Sequence, residues 1–110
     1  MISTATSGIR MEVTFATKKL EKCYLDHLQG RRAWGPEIGM KYIQRIDLLQ
    51  EAADMAEVRK LPGLECHSLK GDRKGEFGIT LHGRWRLIFS LRGDKASIIR
   101  VEEVSKHYGD

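Results

Sequence analysis

Two periodicities divide the chain. Over residues 11–15 apolar side chains alternate, with Met11, Val13 and Phe15 on one face, which predicts a short strand. Thr17 is placed to cap a following helix, with Glu21 in its first turns. Leu20, Tyr24, Leu25 and Leu28 recur at three- and four-residue spacing. That predicts a helix over 18–29, closed by Gly30. Residues 31–35 read as a basic connector. Pro36 suits the first position of a second helix. Tyr42, Ile43, Ile46, Leu49 and Ala53 give that helix an apolar stripe over 36–56, with a last turn before Pro62. Two helices joined by a short loop pair antiparallel.

From Gly63 the period changes to two. A strand over 64–69 leads into the turn Gly71-Asp72-Arg73-Lys74-Gly75. Residues 76–81 place Phe77, Ile79 and Leu81 on one face. After the His82-Gly83 turn, Trp85, Leu87 and Phe89 face one way and Arg86, Ile88 and Ser90 the other. Gly93-Asp94 marks another hairpin, and a last strand is expected over 95–101. Residues 104–110 read as a short tail, open to a helical turn. The polar, aperiodic residues 1–10 read as a disordered tail, leaving 11–110 as a single domain. The expected class is α+β, in the order β-α-α-β-β-β. Two N-terminal helices pack on an antiparallel sheet, because neither layer covers its apolar side alone. The other sheet face is then solvated.

At 110 residues, with 41% hydrophobic and 31% charged side chains, the chain suits one small globular domain. No run of about 18 apolar residues occurs, so no membrane helix is expected. No apolar core of signal-peptide length opens the chain. Cys23 and Cys66 lie far apart in sequence, with no CxxC motif and no zinc-type spacing. Free thiols fit a reducing cytoplasm. The net charge of +4 is concentrated: residues 70–100 carry eight bases against three acids. Such a field suits a polyanion such as nucleic acid, or is simply a solvated surface.

The candidate chemistry follows from the outward face of the strands. Arg86 points outward by alternation, and Lys70, Arg73 and Lys74 occupy the neighbouring turn. A phosphate there would meet several fixed cations, with arginine as a planar fork and lysine as a point charge. His67 lies in the strand leading into that turn. RNA cleavage by the adjacent 2′-OH needs such a set and no metal: a base for the hydroxyl proton, cations for the pentacoordinate phosphate, and an acid for the leaving oxygen. His67 and His107 are the imidazoles available for these proton transfers. From the residues alone, His67 reads first as a strand residue with one ordinary hydrogen bond. No nucleotide-binding glycine loop or carboxylate cluster occurs, so neither a nucleotide cofactor nor a metal is indicated.

The stretch LPGLECHSLKGDRKGEFGITLHGRWRLIFS, 61–90, resembles the HigB toxins of type II toxin–antitoxin systems, also called plasmid maintenance system killer proteins, in the RelE/ParE superfamily. The matching features are Leu61-Pro62, His67 followed by Leu69-Lys70-Gly71-Asp72-Arg73-Lys74-Gly75, and Trp85-Arg86-Leu87-Ile88-Phe89. The resemblance implies a ribosome-dependent mRNA endonuclease. It also implies a cognate helix-turn-helix antitoxin of the HigA type, through which alone operator DNA is contacted. His67, Lys70 and Arg86 match family site positions, and Arg73, Lys74 and Arg84 fall in the basic RNA-binding set. Family members often end in Asp-Tyr-His with those side chains active in cleavage. This chain has His107-Tyr108, reversed and further out, with Glu103 as the candidate acid. Two other readings keep the fold: a ParE-like inhibitor of DNA gyrase, and a weakly catalytic or non-catalytic RNA-binding relative.

Overall fold

The computed structural model describes residues 10–94 and 96–106. The expected tail over 1–10 falls outside them except for Arg10. The elements are β1 (Glu12–Phe15), α1 (Lys18–Leu25), α2 (His27–Trp34), α3 (Pro36–Glu51), α4 (Met55–Lys60), β2 (His67–Ser68), β3 (Glu76–His82), β4 (Trp85–Arg92) and β5 (Ile98–Lys106), with a 3-10 turn at Gly71–Arg73. The expected α+β class holds, with more elements than the β-α-α-β-β-β order counted.

The helix expected over 18–29 is two helices. Asp26 adopts an extended backbone, its N–H donates to Lys22 O, and its carboxylate accepts from Leu28 N. It therefore ends α1 and caps α2. Gly30 does not close a helix but lies inside α2, where it meets Gly39 of α3. A Cβ on Gly39 would sit 2.9 Å from backbone atoms of Gly30 and Arg31, so the two glycines let the helices touch backbone to backbone. The connector expected over 31–35 is mostly the last turn of α2. Gly35, at φ 94°, makes the left-handed reversal before Pro36. The helix expected over 36–56 stops at Glu51, because Asp54 accepts from Glu57 N while Glu57 accepts from Ala53 N. That reciprocal cap starts α4 instead.

The five strands form one sheet in the order β1-β5-β4-β3-β2. The sheet is mixed rather than antiparallel, because β1 runs parallel to β5. The strand expected over 64–69 is reduced to His67–Ser68. The last strand starts later than expected and runs to Lys106, replacing the expected tail at 104–106. A bulge sits between Ile88 and Phe89 where β4 meets β5: Ile88 pairs with Glu103 and Phe89 with Val101. Glu102 is the extra residue.

The core lies between the helices and one sheet face. Tyr42, Ile46 and Leu49 of α3, Val58 of α4, and Ile79, Leu87, Phe89, Ile99 and Val101 of the sheet are fully buried. Tyr42 keeps its phenol paired by donating to Leu20 O at 2.7 Å, and burial pushes its pKa far up. No helix among the described residues is long and apolar enough to cross a membrane.

Candidate functional site

Strand alternation turns β4 outward at Arg86, Ile88, Ser90 and Arg92. Register aligns the neighbours in rows. His67 lies opposite Gly78, Gly78 opposite Ile88, and Ile88 opposite Glu103. The next row joins Thr80, Arg86 and Ser105. Glu103 reaches this face only through the bulge, since strict alternation from buried Val101 would turn it inward.

These rows form an open cavity of about 430 Å³, lined by His67, Leu69, Lys70, Arg73, Gly78, Arg86, Ile88 and Ser105. Gly78 is its floor: a Cβ there would meet Ile88 Cδ1 at 3.4 Å and His67 Cε1 at 3.5 Å. Without a side chain at 78, His67 on β2 and Arg86 on β4 share one space. The sequence expectation that His67, Lys70 and Arg86 gather on the outward sheet face agrees with this geometry.

The partners of each group define what it can do. His67 Nδ1 lies 3.1 Å from Glu65 O. A carbonyl only accepts, so Nδ1 carries the proton and neutral His67 keeps its lone pair on Nε2. Glu65 is held for this in an unusual conformation, with φ 50°, and its carboxylate accepts from Thr80 Oγ1 at 3.0 Å. Arg86 donates through Nη1 to Gly83 O and Trp85 O. Its Nε and Nη2 make no hydrogen bond among the described residues. Lys70 is exposed and has no carboxylate partner among them.

Arg73 is different. Its Nε donates to Glu76 Oε1 at 2.7 Å and its Nη1 to Glu103 Oε2 at 3.1 Å. Glu103 and then Glu76 raise its pKa further. Arg73 and Glu103, singled out as an RNA-binding and a catalytic residue, are therefore bonded to each other. Lys74 lies across the turn in a separate depression with Phe77 and Gly75. Arg84 is exposed in the β3–β4 turn and does not line the cavity. His107 and Tyr108 lie outside the described residues. Strand β5 ends just before them, with Ser105 opposite Arg86 and Lys106 opposite Trp85.

Sequence reasoning missed Glu65, Gly78 and Ser105. The chemistry of Glu65 resides in its carbonyl and that of Gly78 in a missing side chain, neither of which a residue type announces. Burial pushes the Cys66 thiol up despite Arg59 nearby, which keeps it protonated beside His67. No cluster of three His, Cys, Asp or Glu side chains suited to a metal occurs among the described residues.

Residues 13–102 match the family described as the RelE-like toxin of type II toxin-antitoxin system HigB. No curated protein sequence matches the chain. Among solved structures, a chain of the E. coli DinJ-YafQ toxin-antitoxin complex is 19% identical over 90% of this chain and 94% of its own, with a TM-score of 0.59. A chain of the heterotetrameric YoeB-YefM toxin-antitoxin complex from Staphylococcus aureus is 16% identical over 90% and 99%, with a TM-score of 0.57. The YoeB/ParE toxin from Agrobacterium tumefaciens is 14% identical over 89% and 100%, with a TM-score of 0.54. At these identities the likeness speaks to the fold.

Proposed function

Because the chain belongs to the HigB-like family of RelE-like toxins from type II toxin–antitoxin systems, we propose that it is a metal-independent endoribonuclease acting on mRNA at the ribosome, in the cytoplasm. The observation that carries the reading is the shared cavity of His67, Lys70 and Arg86. His67 takes the 2′-OH proton on Nε2, the position left free by the Glu65 carbonyl. The 2′-oxygen bonds to phosphorus and the bond from phosphorus to the 5′-oxygen breaks. The products are a 2′,3′-cyclic phosphate and a 5′-hydroxyl. Arg86 and Lys70 neutralise the charge that grows on the non-bridging oxygens. The leaving oxygen receives its proton from His107 or Tyr108, whose stretch of chain follows Ser105 at the cavity wall.

Glu103 takes a different part from the one its position suggested. Its carboxylate is engaged by Arg73, so it orients that guanidinium at the cavity edge rather than moving protons. Lys74 and Arg84 extend the positive field outside the cavity. A cognate antitoxin is the natural partner, as DinJ is in the complex with YafQ and YefM in the complex with YoeB. We place it in the HigA-like helix-turn-helix class, with operator DNA contacted only through it.

The test is Arg86→Ala. Its side chain lies outside the core, so the thermal transition should stay within the range of an ordinary surface change, about 0.5 kcal/mol. Cleavage of mRNA in a ribosome-dependent translation assay should fall by about 10²-fold or more, the scale for losing one oxyanion donor. Full cleavage by this variant would overturn the mechanism. Intact mRNA with the unsubstituted chain, alongside a supercoiling defect, would favour the gyrase reading.

A further inference from the structure

The outward sheet face carries a second group of cations, away from the cavity and centred on Glu102. Alternation from buried Val101 turns the Glu102 carboxylate outward, where Ser90 Oγ donates to Oε2 at 2.6 Å. Arg92 Nε donates to the same Ser90 Oγ at 3.2 Å. Arg92 Nη2 and Arg100 Nε lie 3.6 and 3.8 Å from the same carboxylate oxygen. The Glu102 side chain is 16% exposed, while Arg92 and Arg100 are 53% and 39% exposed. The carboxylate thus lies beneath and the guanidinium groups face water.

This is more than local neutralisation. Two guanidiniums meet one carboxylate, and a positive charge is left over. Arg92 Nη1 and both Nη atoms of Arg100 make no hydrogen bond among the described residues. Arg92, hydrogen-bonded to Ser90 and paired with Glu102, and Arg100, paired with Glu102 alone, each leave an N–H edge free for a phosphate. Arg100 lies opposite Ser90. Ser90 follows Arg86 by four residues on the same face of β4, roughly 13 Å at the usual strand rise. Between the two groups sits Arg73 with two carboxylates, Glu76 opposite Ser90 and Glu103, so that stretch carries a net negative charge. The face therefore offers two separated points of positive charge rather than a continuous basic groove.

We propose that Arg92 and Arg100, held by Glu102 and Ser90, form a second phosphate subsite for the backbone of a single-stranded RNA whose scissile linkage occupies the cavity of His67 and Arg86. The inference rests on the RNA reading of that cavity and extends it. The two sites are offset along β4, so the footprint is several nucleotides long.

The experiment compares two uncleavable ligands on the full chain: a 2′-O-methyl RNA octamer and a 2′-O-methyl dinucleotide. The octamer should bind more tightly than the dinucleotide. In the Arg92→Gln/Arg100→Gln double variant, octamer affinity should fall about tenfold, with dinucleotide affinity unchanged. The slope of log affinity against log salt should fall by about 0.7 for one lost phosphate contact. The Arg92→Lys/Arg100→Lys variant keeps both charges and should keep the slope. Octamer affinity that does not change, equal losses for both ligands, or an octamer bound no better than the dinucleotide would overturn the subsite. A lysine pair that loses the slope as fully as the glutamine pair would do so too, by revealing a fold defect. Intact ribosome-bound mRNA with unimpaired octamer binding would overturn the nuclease reading alone.

Discussion

Strand β4 has two faces made from adjacent residues and governed by opposite rules. Leu87 and Phe89 are fully buried against the helices, and Phe89 stacks on Phe77 with ring centroids 5.6 Å apart. Arg86 and Arg92 point the other way and keep donors without protein partners. On the inner side Tyr42 donates to Leu20 O, and no buried side-chain N or O among the described residues lacks a partner. On the outer side, Lys70 and part of Arg86 are left open. The inner face holds the sheet, and the outer face leaves cationic donors exposed.

The sharpest way to break this division is at Phe89. Phe89→Ala should destabilise the fold by about 3–5 kcal/mol, the range for a buried aromatic truncated to alanine, as read by urea denaturation. That is a large share of the 5–15 kcal/mol typical of a domain's stability. Arg86→Ala, one strand face away, should leave the same curve almost unmoved. Equal shifts for both would mean that the outer face is structural as well.

The division itself is legible in the sequence, because Trp85, Leu87 and Phe89 alternate cleanly with Arg86, Ile88 and Ser90. The same alternation brings Arg86 and the basic turn to one side. Features that depend on distant or local backbone choices are not legible. The apolar spacing of Leu20, Tyr24 and Leu28 runs straight through the break at Asp26, and only the capping ability of Asp26 signals it. The bulge at Glu102 leaves no trace in a period-two reading, which would bury Glu103 beside Val101. The bond from Arg73 to Glu103 spans 30 residues of chain, so a basic turn looks free when one of its members is not. The short strand β2 follows from Glu65 at φ 50°, a conformation that its residue type does not predict.

Glu103 offers a finer test of the outer face. The pair with Arg73 is about 40% exposed on both sides, so Glu103→Gln should cost no more than about 1 kcal/mol. If Glu103 only orients Arg73, the variant should cleave more slowly while the pH profile of cleavage keeps its shape. If Glu103 moves a proton, one limb of the profile should disappear.

The smallest change, and the most discriminating, is Gly78→Ala. The site lies on the seam between the two rules: it is buried, yet it forms the floor of the cavity. An added methyl would make ordinary contacts with Ile88 Cδ1 at 3.4 Å, His67 Cε1 at 3.5 Å and Leu69 Cδ2 at 3.6 Å. Alanine is favoured over glycine inside a strand by about 0.5–1 kcal/mol, so the fold should become slightly more stable. The same methyl occupies the space that lets His67 and Arg86 face one ligand. Cleavage should therefore drop, by about tenfold if the scissile phosphate is lifted from the floor by even 1.4 kcal/mol of lost transition-state stabilisation. A gain in stability with a loss of rate would locate the reacting linkage directly above Gly78. A gain in stability with an unchanged rate would move the linkage elsewhere on the face and leave His67 as an ordinary strand histidine.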